Sequence, residues 1–405
     1  MINQYRQQKL LNQLNDGAVA IIATNPEQTR NNDVLYPFRP HSDFWYLTGF
    51  TEPESVAVFT KETYIIFLRE KDPKREIWDG ERLGIGAAPQ ALKANQAYPI
   101  SALKTQLPQL IKKATTIYYD FKPCSLDDAI MECLGVAKTH SLGEYLHEMR
   151  LFKEKSEIAL MQKAADISVE THKMAMQQTQ AGLFEYEVAS IFDGNFRKYN
   201  AEHAYTPIVA GGENACVLHY IENNQELKEG DLLLIDAGSE VEGYASDITR
   251  TFPINGKFSE AQRQIYQIVL DAQLAAIAAI KPGATITMPH KIASQIIQQG
   301  LIDLGILAKN GDLKQFYMHG TGHWLGLDVH DVGRYQQDNQ DRKYEAGMVT
   351  TVEPGIYIRK SDKIDAKYWN IGIRIEDDVL VTEDGNRVLT QALAKEIDEI
   401  EKIMK

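Results

Sequence analysis

Three patterns in this 405-residue chain predict an α/β N-terminal domain followed by a larger α+β domain with pseudo-twofold duplicated halves. Short apolar strand-like runs alternate with helical stretches over residues 18–120, the signature of a first α/β domain. A charge-rich segment, His147 to Lys155, then precedes a long amphipathic helix, which sets the domain limits at 1–153 and 154–405. Within the second domain one arrangement of glycine, strand and acid occurs twice.

In chain order, residues 1 to about 16 read as a polar helix ending near Asn15-Asp16-Gly17, and Ala18 to Thr24 as a strand. Tyr36 to Phe50 is dense in aromatics, which suits a binding surface, a core or a subunit contact. Ser55–Thr60, Glu62–Leu68 and Thr116–Asp120 read as further strands, and Arg75–Gly86, with Trp78, as a charged loop. The loop Lys122-Pro123 follows the last of these strands. Ser156 is the predicted N-cap of a helix whose core stripe is Ile158, Met161, Ala165, Val169, His172 and Met176. A second helix runs from Gly182 to about Tyr199. Ser259-Glu-Ala-Gln262 is a capping box opening a third, which ends before Pro282-Gly283. A fourth spans Pro289 to Leu304, and a Glu/Lys-rich helix closes the chain at Leu393–Met404.

Gly230 to Phe252 reads as a β-hairpin with strands Leu232–Ala237 and Tyr244–Phe252. A turn near Val241 and Glu242 would set Asp236 and Asp247 almost opposite each other. Directly opposed side chains have Cβ atoms roughly 4.5–5.5 Å apart. Either the pair faces solvent, or it is buried and needs a proton or a cation between its members. The arrangement Gly230…Asp236-Ala-Gly238 recurs as Gly347…Glu353-Pro-Gly355. Each is followed by a strand bearing a further acid, Asp247 or Glu376, and preceded by a histidine, His219 or His330. Two such units facing each other would bring four carboxylates to one seam. In Ile371-Gly-Ile-Arg374-Ile-Glu376 strict alternation puts Arg374 and Glu376 on one face, where Arg374 can orient an acid.

His319-Gly-Thr-Gly-His323-Trp-Leu-Gly-Leu-Asp-Val-His330 interleaves histidines with glycines. His319 and His323 are spaced like a helical metal pair, but the glycines argue against a helix. Four carboxylates and one imidazole can hold two divalent metals. Oxygen-rich ligation favours Mn²⁺, while the histidine leaves Co²⁺, Zn²⁺ and Fe²⁺ open. Metals about 3.5–4 Å apart can share a hydroxide that attacks an amide carbonyl. A glutamate can carry the proton to the leaving nitrogen, and free histidines can steady the tetrahedral intermediate. The residues thus support a dinuclear metallohydrolase.

Composition narrows the setting. A net charge of −13 with no basic tract argues against nucleic-acid binding. Cys124, Cys133 and Cys216 follow no metal-type or redox-type spacing and read as free thiols in a reducing compartment. There is no apolar leader and no apolar run of membrane-spanning length, so a cytoplasmic protein without a membrane span is expected.

Five stretches together resemble the M24 "pita-bread" metallopeptidases: Ile235-Asp-Ala-Gly, Ser246-Asp-Ile-Thr-Arg-Thr-Phe, His319 to His330, Thr351-Val-Glu-Pro-Gly-Ile-Tyr357 and Gly372-Ile-Arg-Ile-Glu-Asp-Asp. The stretch Tyr36-Pro-Phe-Arg-Pro-His-Ser-Asp-Phe-Trp-Tyr-Leu-Thr-Gly-Phe and the loop Ile77-Trp78-Asp-Gly-Glu-Arg-Leu-Gly resemble the bacterial aminopeptidase P branch. That resemblance implies removal of the N-terminal residue from peptides with proline in second position. The alternative is a prolidase, which cleaves only Xaa-Pro dipeptides. It implies Asp236, Asp247, His323, Glu353 and Glu376 as ligands of two metal ions, first choice Mn²⁺, with Asp247 and Glu376 bridging and Glu353 also a proton shuttle. His219 and His330 would lie by the substrate carbonyl and the scissile bond, with Arg374 and Tyr357 in support. His319 and Tyr335 would form the proline pocket, Arg150 would contact the substrate side, and Trp78 would reach a neighbour's active site in a tetramer (a dimer of dimers) or a dimer. The N-terminal domain would then serve oligomerisation and access to the site. One departure stands out: the arginine expected four residues after Tyr335 is replaced by Gln336-Gln-Asp-Asn-Gln340. Non-enzymatic and creatine-hydrolysing relatives lack some of the five ligands, and methionine aminopeptidase needs no N-terminal domain of this size.

Overall fold

The computed structural model describes residues 2–121, 125–135 and 138–405. The Lys122-Pro123 loop and Cys124 lie outside the described residues. The chain divides into two compact units, residues 1–149 and 150–405.

In the first unit a mixed six-stranded sheet runs, in order, Gln96–Pro99, Tyr64–Leu68, Val56–Phe59, Ala18–Ala23, Thr116–Tyr118 and Thr139–His140. Ala18–Ala23 is buried throughout, as an apolar run flanked on both sides demands. The aromatic stretch splits by role. Phe44, Tyr46 and Phe50 enter the core, with the Arg6 guanidinium 4.0 Å above the Tyr46 ring, whereas Tyr36 stays exposed. The predicted loop at 75–86 is instead two helices, Pro73–Asp79 and Gly84–Leu92. The Asp72-Pro73 pair explains the first. The Asp72 carboxylate accepts from the Lys74 and Arg75 N–H groups, and proline suits the first helical position.

The second unit opens with helix Lys155–Gln178. Its cap is Glu154 rather than Ser156, because the Glu157 side chain reaches back to the Glu154 N–H at 2.8 Å and begins the helix two residues earlier. Helices Glu185–Lys198, Glu260–Ala279 and Met288–Asp303 follow, and Ser259 and Gln262 form the expected capping box. The closing helix is shorter than expected, Ile397–Ile403.

The strands cross over one another in a way the sequence reading missed. Leu232–Asp236 pairs antiparallel with Ile208–Gly211 and with Thr249–Pro253, so Asp236 lies opposite Thr249, not Asp247. Between them Ser239–Val241 and Tyr244–Ala245 form a separate hairpin that joins Glu202–His203. Glu242 and Gly243 both have positive φ, which makes the turn a type I′ one residue later than predicted. Asp247 therefore sits in the break between two ladders. The crossing requires glycine, since a Cβ on Gly238 would stand 1.8 Å from the Ser246 carbonyl oxygen.

The second acidic region follows a similar path. Val349–Val352 pairs with Asp377–Val381, and Gly355–Ile358 pairs with Ile371–Arg374. Glu353 and Glu376 fall in the breaks between those ladders. Among the described residues no helix is long and apolar enough to cross a membrane.

Candidate active site

The breaks in the ladders bring the acids together. Asp236, Asp247, Glu353, Glu376, His323, His319, His219, His330 and Arg374 all line one cavity of about 490 Å³. Nine of the predicted site residues thus meet there. Each region steadies an acid of the other. Arg374 Nη2 donates to Asp236 Oδ2 at 2.5 Å, and Thr249 Oγ1 donates to Glu376 Oε2 at 2.6 Å. Arg250 adds a buried staple, donating to the Glu376 carbonyl at 2.6 Å and to Asp377 Oδ1 at 2.7 Å.

Asp247, His323 and Glu376 each present a ligand atom within 4.8 Å of the others. The His323 Nδ1–H donates to the Trp324 carbonyl at 3.0 Å. Its Nε2 thereby faces the acids, 3.4 Å from Asp247 Oδ2 and 3.7 Å from Glu353 Oε1, and is the atom that would give up its proton to take a metal. Charge is crowded. Burial pushes Glu376 well above the ordinary carboxylate range, and Asp247, Glu353 and Asp236 add to the effect. Burial raises Glu353 to about 7, although His323 and Arg374 pull it back. Burial alone would lower His323, but Asp247 and Glu353 outweigh it and hold the imidazole at about 9. These acids cannot all ionise without a further cation, so the donor set fits a divalent metal.

A neutral relay flanks the acids. His319 is held down to about 4 by burial and by the Arg374 charge. Its Nδ1–H donates to the Gly320 carbonyl at 2.7 Å, so its Nε2 accepts from the Tyr357 hydroxyl at 2.8 Å. That hydroxyl in turn accepts from Arg374 Nη1 at 3.0 Å.

Besides Tyr357, which reaches the site through His319 and Arg374, three predicted residues are not among those lining this cavity. Tyr335 stacks on Trp324 with ring centroids 5.5 Å apart, accepts the Trp324 N–H at 3.2 Å, and lines an adjoining cavity that shares Gly320 and Gly322. Trp78 is 83% exposed on the Pro73–Asp79 helix. Arg150 is buried, and its Nη2 donates to Asp331 Oδ1 at 2.5 Å and Asp328 Oδ2 at 2.7 Å. With Lys153 on Asp331 Oδ2 at 2.9 Å, it ties down the loop that carries His330 rather than facing the cavity.

Other residues emerge only from the structure. The Tyr205 hydroxyl lies 2.5 Å from Asp236 Oδ1 and 2.6 Å from Asp247 Oδ1. Nothing in the sequence around it signals this. Asp378 accepts the Asp247 N–H. Thr249 and Thr251 were missed too, although alternation from Asp247 would have pointed to them. Thr251 Oγ1 donates to the Arg374 carbonyl at 3.1 Å.

The metallopeptidase family M24 model matches residues 159–383, and the model of the aminopeptidase P N-terminal domain matches residues 4–118. The chain belongs to metallopeptidase family M24 and has the two-domain aminopeptidase P fold. It is 47% identical over 413 residues to the Xaa-Pro aminopeptidase of Haemophilus influenzae, with 98% of this chain and 96% of that protein covered. It is 43% identical over 429 residues to the Xaa-Pro aminopeptidase of Escherichia coli, covering 99% and 97%. Among solved structures, aminopeptidase P from E. coli with the inhibitor Pro-Leu superposes with a TM-score of 0.96 at 42% identity, covering 100% of this chain and 97% of that one. Pseudomonas aeruginosa aminopeptidase PepP superposes with a TM-score of 0.95 at 42% identity, covering 100% and 99%.

Proposed function

We propose that this chain is a Xaa-Pro aminopeptidase, a metal-dependent hydrolase that removes the N-terminal residue from peptides with proline in second position. The observation that carries this reading is the single cavity in which all five acid and histidine ligand candidates converge beside three further histidines. The near full-length likeness to Xaa-Pro aminopeptidases supports the substrate class. Prolidase, the alternative, is the less favoured reading.

Asp236, Asp247, His323, Glu353 and Glu376 would hold two divalent ions, with Mn²⁺ the favoured metal. Bound there, such ions supply Lewis acidity and activate water. The chain's own residues do the rest. Glu353, half-buried and held near neutrality, takes a proton and passes it to the leaving imino nitrogen. His219 and His330, both on the cavity wall, donate to the peptide carbonyl and the developing oxyanion. Arg374 and Tyr357 fix Asp236 and His319 in place. His319 and, across the Gly320–Gly322 turn, Tyr335 flank the place of the proline ring.

The same reading extends to the assembly. The catalytic part, residues 154–405, would be a pita-bread domain of two duplicated halves. Residues 1–153 would serve oligomerisation and access to the site, in a tetramer (a dimer of dimers) or a dimer in which exposed Trp78 reaches a neighbour's cavity. A cytoplasmic location is part of the proposal. The deciding experiment compares Arg-Pro-Pro with Gly-Pro under added Mn²⁺. Release of Arg from the tripeptide is expected, and cleavage of the dipeptide alone would turn the assignment to prolidase.

A further inference from the structure

The wall of the cavity that bears Leu218, His219 and Ile221 belongs to a segment with little regular structure, Gly211 to Gln225. Such a wall keeps its shape only if something organises its backbone. The group that does so is Glu185, the first residue of its helix and 0% exposed. Its Oε1 accepts from the Gly211 N–H at 2.8 Å and from Asn214 Nδ2 at 2.9 Å. Its Oε2 accepts from the Tyr220 hydroxyl at 2.7 Å and from the Gln225 N–H at 2.9 Å. All four donors are neutral groups of this one segment, and two of them are backbone. Tyr220, which neighbours His219, is pushed up to about 12 by burial and by Glu185, so it remains a donor.

The buried carboxylate is the template around which the segment folds. Its four acceptor sites match four donors, and an amide in its place would confront two of them with another donor. The segment also rests on the strand that carries Arg374. A Cβ on Gly372 would stand 2.3 Å from the Ala215 carbonyl oxygen, and Arg359 Nη2 donates to the Cys216 carbonyl at 3.0 Å. Tilting the segment would therefore move His219 relative to the acids.

We infer that Glu185 is a positioning residue of the reaction: a buried carboxyl group that folds residues 211–225 and thereby places His219 and the apolar wall Leu218/Ile221 against the substrate. This rests on the aminopeptidase reading for the role of His219, but not for the placement itself. Displacement of a reacting group by about 1 Å can cost on the order of 100-fold.

The test combines kinetics with hydrogen exchange on the Mn²⁺-loaded protein, using Arg-Pro-Pro. Glu185→Gln is expected to lower kcat/KM by about 10- to 100-fold with metal content unchanged. Added to His219→Ala it should cost several-fold less than its full factor, because only the apolar wall is left for it to position, whereas added to His330→Ala it should cost its full factor. Exchange should rise in residues 217–222 and stay unchanged in 319–331. Equal further losses in both backgrounds, or exchange rising equally in both segments, would overturn the inference. If Glu185→Gln does not fold, Tyr220→Phe, which removes one donor, takes the same cycle with a smaller factor. An inactive wild type would count against the aminopeptidase reading alone, since exchange in residues 217–222 still decides the placement.

Discussion

The aspartate-bearing and glutamate-bearing hairpins follow similar paths, yet they hold their acids differently. Asp236 and Asp247 are short side chains gripped by close hydrogen bonds, sharing the Tyr205 hydroxyl at 2.5 and 2.6 Å. Glu376 is gripped as well, by Thr249 at 2.6 Å. Glu353 is the exception. Its side chain keeps its polar neighbours at 3.5 Å (Thr351 Oγ1), 3.6 Å (His319 Nδ1) and 3.7 Å (His323 Nε2). The longer, looser side chain is also the one poised near pH 7. Three acids are built to hold a position, and one is free to exchange a proton with its surroundings. The grip also runs across the hairpins rather than within them, which makes each region a condition for the other.

The largest test of that comparison removes one acid from each side. Asp247→Asn should abolish cleavage of a Xaa-Pro-Yaa tripeptide and lower the bound metal measured by elemental analysis, and Glu376→Gln should do the same. Retained metal and full activity in either variant would sink the two-metal reading. Next comes the link between the hairpins. Arg374→Met leaves Asp236 without its buried partner and should cost about 3 kcal/mol in urea unfolding of metal-free protein, with a matching loss of activity.

A smaller effect lies in the pH dependence of metal-free protein. Glu353 and His323 both bind their protons more tightly in the folded chain, at about 7 and about 9 against ordinary values of 4.5 and 6.5. The stabilisation they contribute is complete below those ordinary values and is lost as pH rises through 7 and then 9. The melting temperature of chelated protein should therefore fall between pH 4.5 and 9, the lower part from Glu353 and the upper part from His323. Saturating Mn²⁺ should flatten that slope, and Glu353→Gln should remove its lower part. A slope of opposite sign would show that the acids are not crowded as described. The smallest effect concerns the turn peculiar to the first hairpin. Glu242→Gly relieves a positive φ of 49° and should stabilise by about 0.5 kcal/mol without altering kcat/KM.

Much of this was legible in residue order. The apolar runs, the capping box at Ser259 and the alternation around Arg374 are local patterns, and they marked strands and helices close to where they lie. The echo between Gly230–Gly238 and Gly347–Gly355 pointed to four acids at one seam, and all four line one cavity. The hairpin register was misread, because a continuous β-like sequence does not reveal where a strand leaves one ladder for another. Tyr205, Glu185 and Asp378 were missed for a related reason, since each acts on partners distant in sequence or set in irregular backbone. Arg150 was assigned by resemblance to the substrate, whereas its charge is taken up by Asp328 and Asp331.

Residue order alone carries the inventory: which acids and histidines exist, which of them end apolar strands, and that two similar acidic units lie in one chain. These follow from short-range periodicity and spacing, which the chain carries wherever it folds. How the charges are shared is set by the folded arrangement of the strands. Buried carboxylates draw their protonation and their grip from desolvation and from donors on other strands. Which strand comes to lie beside which is settled by the crossing at Gly238 and the packing of the whole unit.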